Sequence, residues 1–116
     1  MTDRPTTAYK VLTAPQMADL EAGSFEGAPI DIQDGYIHLS TAAQLTETVD
    51  KHFADQPDLW VAAVDLDALG DAIRWEVSRG GAEFPHLYGA LTLETVVAYS
   101  PLERTDDGSV ALPVTG

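Results

Sequence analysis

Leu59 to Leu66 (LWVAAVDL) is the stretch that most constrains this chain. It is a mostly apolar run of strand length, with too few residues for an ordinary helix. A run of that kind is a central strand, so the fold must be built around a sheet. At 116 residues the chain fits one domain, 1–116, with an ordered core over about 8–112. Residues 1–7 are polar, carry a proline and read as frayed.

Around that strand the punctuation is regular. Ala8–Leu12 reads as a first strand. Thr13 is placed to cap a helix with Pro15 in its first turn, and Gly23 is placed to end it after Ala22. Residues 24–34 read as an irregular loop, and Gly35–Ser40 as a second strand. Thr41, followed three residues later by Gln44, forms a capping-box pattern, and Leu45, Val49 and Phe53 make one apolar helical stripe. Asp67–Asp71 reads as a turn, Ile73–Val77 as a strand, and 78–85 as a loop around Gly80 and Gly81. Thr95–Leu102 follows as a strand, and Val110–Leu112 is expected to pair back as a hairpin across Asp106-Asp107-Gly108. The order predicts an α+β domain: a small, split, mixed or antiparallel β-sheet with two main helices.

Composition narrows the function. The 19 acidic against 6 basic residues leave a net charge of −13, which repels nucleic acid and anionic membranes. No cysteine is present, so disulfides, thiol catalysis and thiolate zinc sites are excluded. No apolar run approaches the length of a signal peptide or a membrane span, so the expectation is a cytoplasmic protein.

Three segments carry side chains suited to chemistry. In GYIHLS (35–40), strand alternation puts Ile37 and Leu39 on the core face, with Tyr36, His38 and Ser40 opposite. Ser40 or Thr41 can cap the following helix or meet a ligand at the strand-to-helix junction. In RWEVSR (74–79), Trp75 and Glu76 face opposite ways between Arg74 and Arg79. Glu76 is suited to act as a base or to oppose a cation developing on a sugar, or else to pair with an arginine in solvent. In FPHLYG (84–89), His86 and Tyr88 share a face; they are suited to stack a base or nicotinamide ring, or Tyr88 is ordinary core. A zinc site using His38, His86 and Glu76 with Asp31 or Asp34 lacks metal-ligand spacing, and no residue is assigned to metal.

Together AYKVLT, DGYIHLSTAAQ, RWEVSRGGAEFPHLYGAL and VVAYSPL resemble a bacterial family known as domain of unknown function 952, over about Tyr9 to Leu102. The resemblance implies an ADP-ribosyltransferase-like fold with a NAD-binding cleft, although fold alone does not fix function. By position it places Lys10 where the superfamily carries an early-strand histidine or arginine for the ribose. It places His38 and Ser40 on the strand that shapes the nicotinamide pocket. Glu76 is the motif glutamate, earlier in the chain than the superfamily's catalytic one. His86 and Tyr88 belong to this family's own pattern. The implied function is binding of NAD or an ADP-ribose-like nucleotide, with ADP-ribosyl transfer as the implied activity. His38 and Glu76 are the expected catalytic pair. Lys10, Ser40, Thr41, Arg74, Trp75, Arg79, His86 and Tyr88 are the expected ligand-binding residues. NAD enters as substrate or ligand, not as a fixed cofactor. The competing readings are a non-catalytic module for a small metabolite or partner protein, and a metal-dependent hydrolase.

Overall fold

The computed structural model describes residues 5–54, 56–77 and 81–113. The described residues form six strands and four α-helices. These are β1 (Thr7–Thr13), α1 (Ala14–Ala22), α2 (Pro29–Asp34), β2 (Ile37–His38), α3 (Ala42–His52), β3 (Leu59–Asp65), α4 (Leu66–Leu69), β4 (Ile73–Val77), β5 (Glu83–Leu87) and β6 (Val96–Pro101). The strands form two three-stranded sheets, ordered β1-β3-β6 and β2-β5-β4, with every pairing antiparallel. The domain is α+β.

The apolar run of β3 sits in the middle of its sheet, as its composition requires. Its side chains alternate between two cores. Ala62 and Val64 join Leu12, Leu20, Ile37, Leu39 and Leu87 between the sheets, while Leu59, Val61 and Ala63 join Leu45 and Val49 beneath α3. The helix starts follow their caps. The side chains of Thr13 and Thr41 each accept a hydrogen bond from the backbone N–H three residues on, and the Gln16 and Gln44 side chains each accept one from the cap N–H. Gly23 ends α1 in the left-handed region at φ 80°.

Several boundaries differ from the sequence expectation. Residues 29–34, expected as loop, form α2. Ile30 and Ile32 face solvent there and Asp31 is buried, so no apolar stripe marks the helix. Residues 67–71, expected as a turn, lie in α4 and a 3-10 turn over Gly70–Ala72. β5 begins at Glu83, inside the expected 78–85 loop. The expected C-terminal hairpin is reduced to a single bridge, Arg104 to Val110.

β2 is shorter than expected because of its partner. Leu39 N–H donates to the Pro85 carbonyl at 3.2 Å, but Pro85 has no N–H to return, so the β2–β5 ladder stops after His38. The chain then transfers to the other sheet. Ser40 and Tyr9 exchange both backbone hydrogen bonds, at 2.7 and 2.9 Å.

Candidate functional site

The polar cluster lies on the β2-β5-β4 sheet, on the face opposite the core. Ile37, Leu87 and Ile73 pack inward from the three strands. The adjacent residues point the other way. His38 is paired with His86 and His86 with Arg74, so the three form one row across the sheet. The hydrogen-bonding phase set by Leu39 and Pro85 makes His38–His86 a non-hydrogen-bonded pair, in which facing side chains come closest. Their ring centroids are 5.5 Å apart.

Tyr36 covers this row. Its ring stacks on His86 with centroids 4.1 Å apart and a 24° interplanar angle. It also contacts His38 at 4.7 Å and Tyr88 at 5.2 Å. The Arg74 guanidinium sits 4.8 Å above the Tyr88 ring. Glu76 Oε1 accepts hydrogen bonds from Tyr88 Oη at 2.7 Å and His86 Nδ1 at 2.8 Å. The hydrogen bond from Tyr88, then that from His86, holds the Glu76 carboxyl below its usual range. The same bond to Glu76, followed by burial, raises the Tyr88 hydroxyl. Burial, followed by the charges of Asp34 and Glu76, raises Tyr36.

A second set of charges supports the row from below. Asp31, 2% exposed, accepts from Lys10 Nζ at 2.8 Å, His38 Nδ1 at 2.7 Å, His38 N at 3.0 Å and Ala28 N at 2.8 Å. Burial pushes its carboxyl up, but the hydrogen bonds from His38 and the charge and hydrogen bond of Lys10 outweigh that and bring it down to about 2. Lys10 is 5% exposed and also donates to the His38 carbonyl at 3.1 Å. Burial lowers its ammonium, against the pull of Asp31. His38 Nε2 meets Asp34 at 3.0 Å, so both of its ring nitrogens face carboxylates. Gly35, in the left-handed region at φ 85°, makes the turn that brings α2's two aspartates back onto β2.

Of the expected site residues, the structure brings His38, Arg74, Glu76, His86 and Tyr88 together. The others are placed differently. Ser40 turns away from the cluster: its hydroxyl bonds to Thr48 at 2.9 Å, because the transfer to β1 seats Ser40 beneath α3. Thr41 is occupied as the N-cap of α3. Trp75 packs against the inter-sheet core on the opposite face, as strand alternation from Glu76 demands. Lys10 lies in the buried layer behind His38 and takes part through Asp31. Arg79 lies outside the described residues. Tyr36 and Asp31 belong to the cluster, and the expected site residues omit both. Strand alternation flags Tyr36, and the D-x-x-D-G-Y-x-H spacing is the only trace of Asp31.

Among the described residues no group of three His, Asp or Glu is arranged to hold a metal ion. The carboxylates here are spent on the imidazoles. No helix among the described residues is long and apolar enough to cross a membrane.

No curated protein matches the chain. It is similar to the crystal structure of protein CC0527 from Caulobacter crescentus, with 41% identity over 92% of this chain and 95% of that one and a TM-score of 0.82. It is also similar to the solution NMR structure of CC0527, with 40% identity over 90% of this chain and 91% of that one and a TM-score of 0.76. A family model described as a protein of unknown function (DUF952) matches residues 11–99, a span that holds every residue of the cluster from Asp31 to Tyr88. The chain belongs to the DUF952 family.

Proposed function

We propose that the polar face of the β2-β5-β4 sheet binds NAD or an ADP-ribose-like nucleotide, in a cleft of ADP-ribosyltransferase type, and transfers the ribosyl group. The observation that carries this reading is the row His38–His86–Arg74 beneath Tyr36 and Tyr88, with Glu76 at its side. The exposed Tyr88 ring offers a planar surface for a base or nicotinamide. The exposed Arg74 guanidinium suits a pyrophosphate. Glu76, anionic and with its side chain 39% exposed, opposes the positive charge that develops on the ribose as the bond to nicotinamide breaks. His38 takes a different part from a direct ribose contact: both ring nitrogens are held by aspartates, so it orients the row.

The test is a thermal-shift titration with NAD, ADP-ribose and nicotinamide. A ligand of the native state raises the melting temperature with concentration. The expected result is a rise with NAD and ADP-ribose that is lost in Arg74→Ala. No rise with any of the three at millimolar concentration overturns the reading.

A non-catalytic binding module is the second reading. The observation that favours it is the Glu76 Oε1 atom, already committed to His86 and Tyr88. Nucleotide binding without nicotinamide release, unchanged in Glu76→Ala, would select it.

A further inference from the structure

His86 is 3% exposed, and its two ring nitrogens are treated unequally. Nδ1 meets Glu76 Oε1 at 2.8 Å. Nε2 has no hydrogen-bond partner among the described residues. No side-chain nitrogen or oxygen sealed from solvent is left unpaired among them, so Nε2 keeps a trace of solvent contact. His38, by contrast, has both nitrogens engaged. Glu76 is held in its anionic form by the bonds from Tyr88 and His86, so it only accepts. His86 Nδ1 must therefore carry a hydrogen, and in the tautomer that this selects Nε2 is a bare acceptor.

Tyr36, stacked on the ring at 4.1 Å, and the Tyr88–Glu76 bond fix the imidazole's position. The charged and titratable groups around it are Glu76 and Arg74 on β4, His38 with its two aspartates on the β2 side, and the Tyr36 and Tyr88 hydroxyls. A histidine oriented through one nitrogen by a carboxylate, with the other nitrogen bare, has the arrangement of a general base.

We infer that His86 Nε2 is the proton-accepting atom of this site, that Glu76 is its positioning residue, and that the group it deprotonates is a hydroxyl, of water or of an acceptor alcohol. This rests on the nucleotide reading for its first substrate. As the ribose–nicotinamide bond breaks, its electron pair leaves with the nicotinamide nitrogen. The acceptor oxygen bonds to the vacated ribose carbon, and its proton passes to His86 Nε2 and then to solvent. Glu76 then faces an imidazolium and stabilises it.

Two measurements on the full chain test this. Long-range proton–nitrogen NMR at neutral pH reads each histidine's tautomer without any ligand. The expected result is a single His86 form protonated at Nδ1, retained in Tyr88→Phe and lost to a mixture in Glu76→Ala. A wild-type His86 protonated at Nε2, or already a mixture, overturns the inference. The second measurement adds NAD as the probe and follows binding by thermal shift alongside nicotinamide release. His86→Gln is expected to slow release at least about 100-fold, the lower range for loss of a general base, with NAD binding changed less than about threefold. Bound NAD that leaves the His86 resonances unmoved, or release undiminished in His86→Gln, overturns the inference and leaves the nucleotide reading intact. Absence of NAD binding with the Nδ1–H tautomer present overturns the nucleotide reading and supports the oriented base.

Discussion

Asp31 is the residue on which the candidate site depends most. One buried carboxylate fixes the His38 ring and the His38 backbone, pairs the buried Lys10 and takes the N–H of Ala28 ahead of α2. Its removal leaves a buried ammonium without its counter-charge. Asp31→Ala is expected to cost about 3–5 kcal/mol in urea unfolding at neutral pH, the range for breaking one side of a buried pair. Its carboxyl lies at about 2 in the fold against 3.8 in its ordinary state. In that window the unfolded chain binds more protons, so stability falls as acid is added. The contribution is complete above about pH 4 and lost as pH drops through about 2, amounting to on the order of 2 kcal/mol. The unfolding free energy should fall further between pH 5 and pH 2.5 in the wild type than in Asp31→Asn. Beyond its spacing from His38 little of this is visible in the sequence, because Asp31 reaches His38 only through a helix without an apolar stripe and a glycine turn. Tyr36, His86, Tyr88 and Glu76 were legible because strand alternation alone assigns their face.

At the scale of elements, what was readable follows from local chemistry. The Thr13 and Thr41 caps and the terminating Gly23 act within a few residues of themselves, so the pattern is enough to place α1 and α3. β5 was masked by its own Pro85, which argues against a central strand when read locally. It is tolerated because its missing N–H falls where β2 is leaving the ladder. Ser40 was misassigned for a related reason: alternation continues to predict its face after the strand has changed partners. The role of Thr41 separates cleanly in experiment. Thr41→Ala is expected to lower stability by about 1 kcal/mol through loss of the capping box, seen as a lower urea midpoint. Nucleotide affinity, measured on the folded variant, should stay within about twofold.

For the whole molecule, the charge of −13 sets the terms on which any anionic ligand arrives. Arg74 supplies a local cation, but the far field of the chain is repulsive. Association of NAD should therefore speed up as ionic strength rises from about 10 to 150 mM, where the screening length contracts from about 30 to 8 Å. Stopped-flow association rates at fixed pH check this. Rates that fall with salt would mean that the arginine, and not the net charge, governs approach.

Pro85 has a consequence at this scale too. The segment 39–40 sits between two sheets, each with backbone groups able to bind it. A residue with an N–H at position 85 would let β2 zip onward along β5 and draw Ser40 away from Tyr9. The imino ring settles the contest by withholding a donor, so the seam between the two halves of the domain is decided by a bond that cannot form.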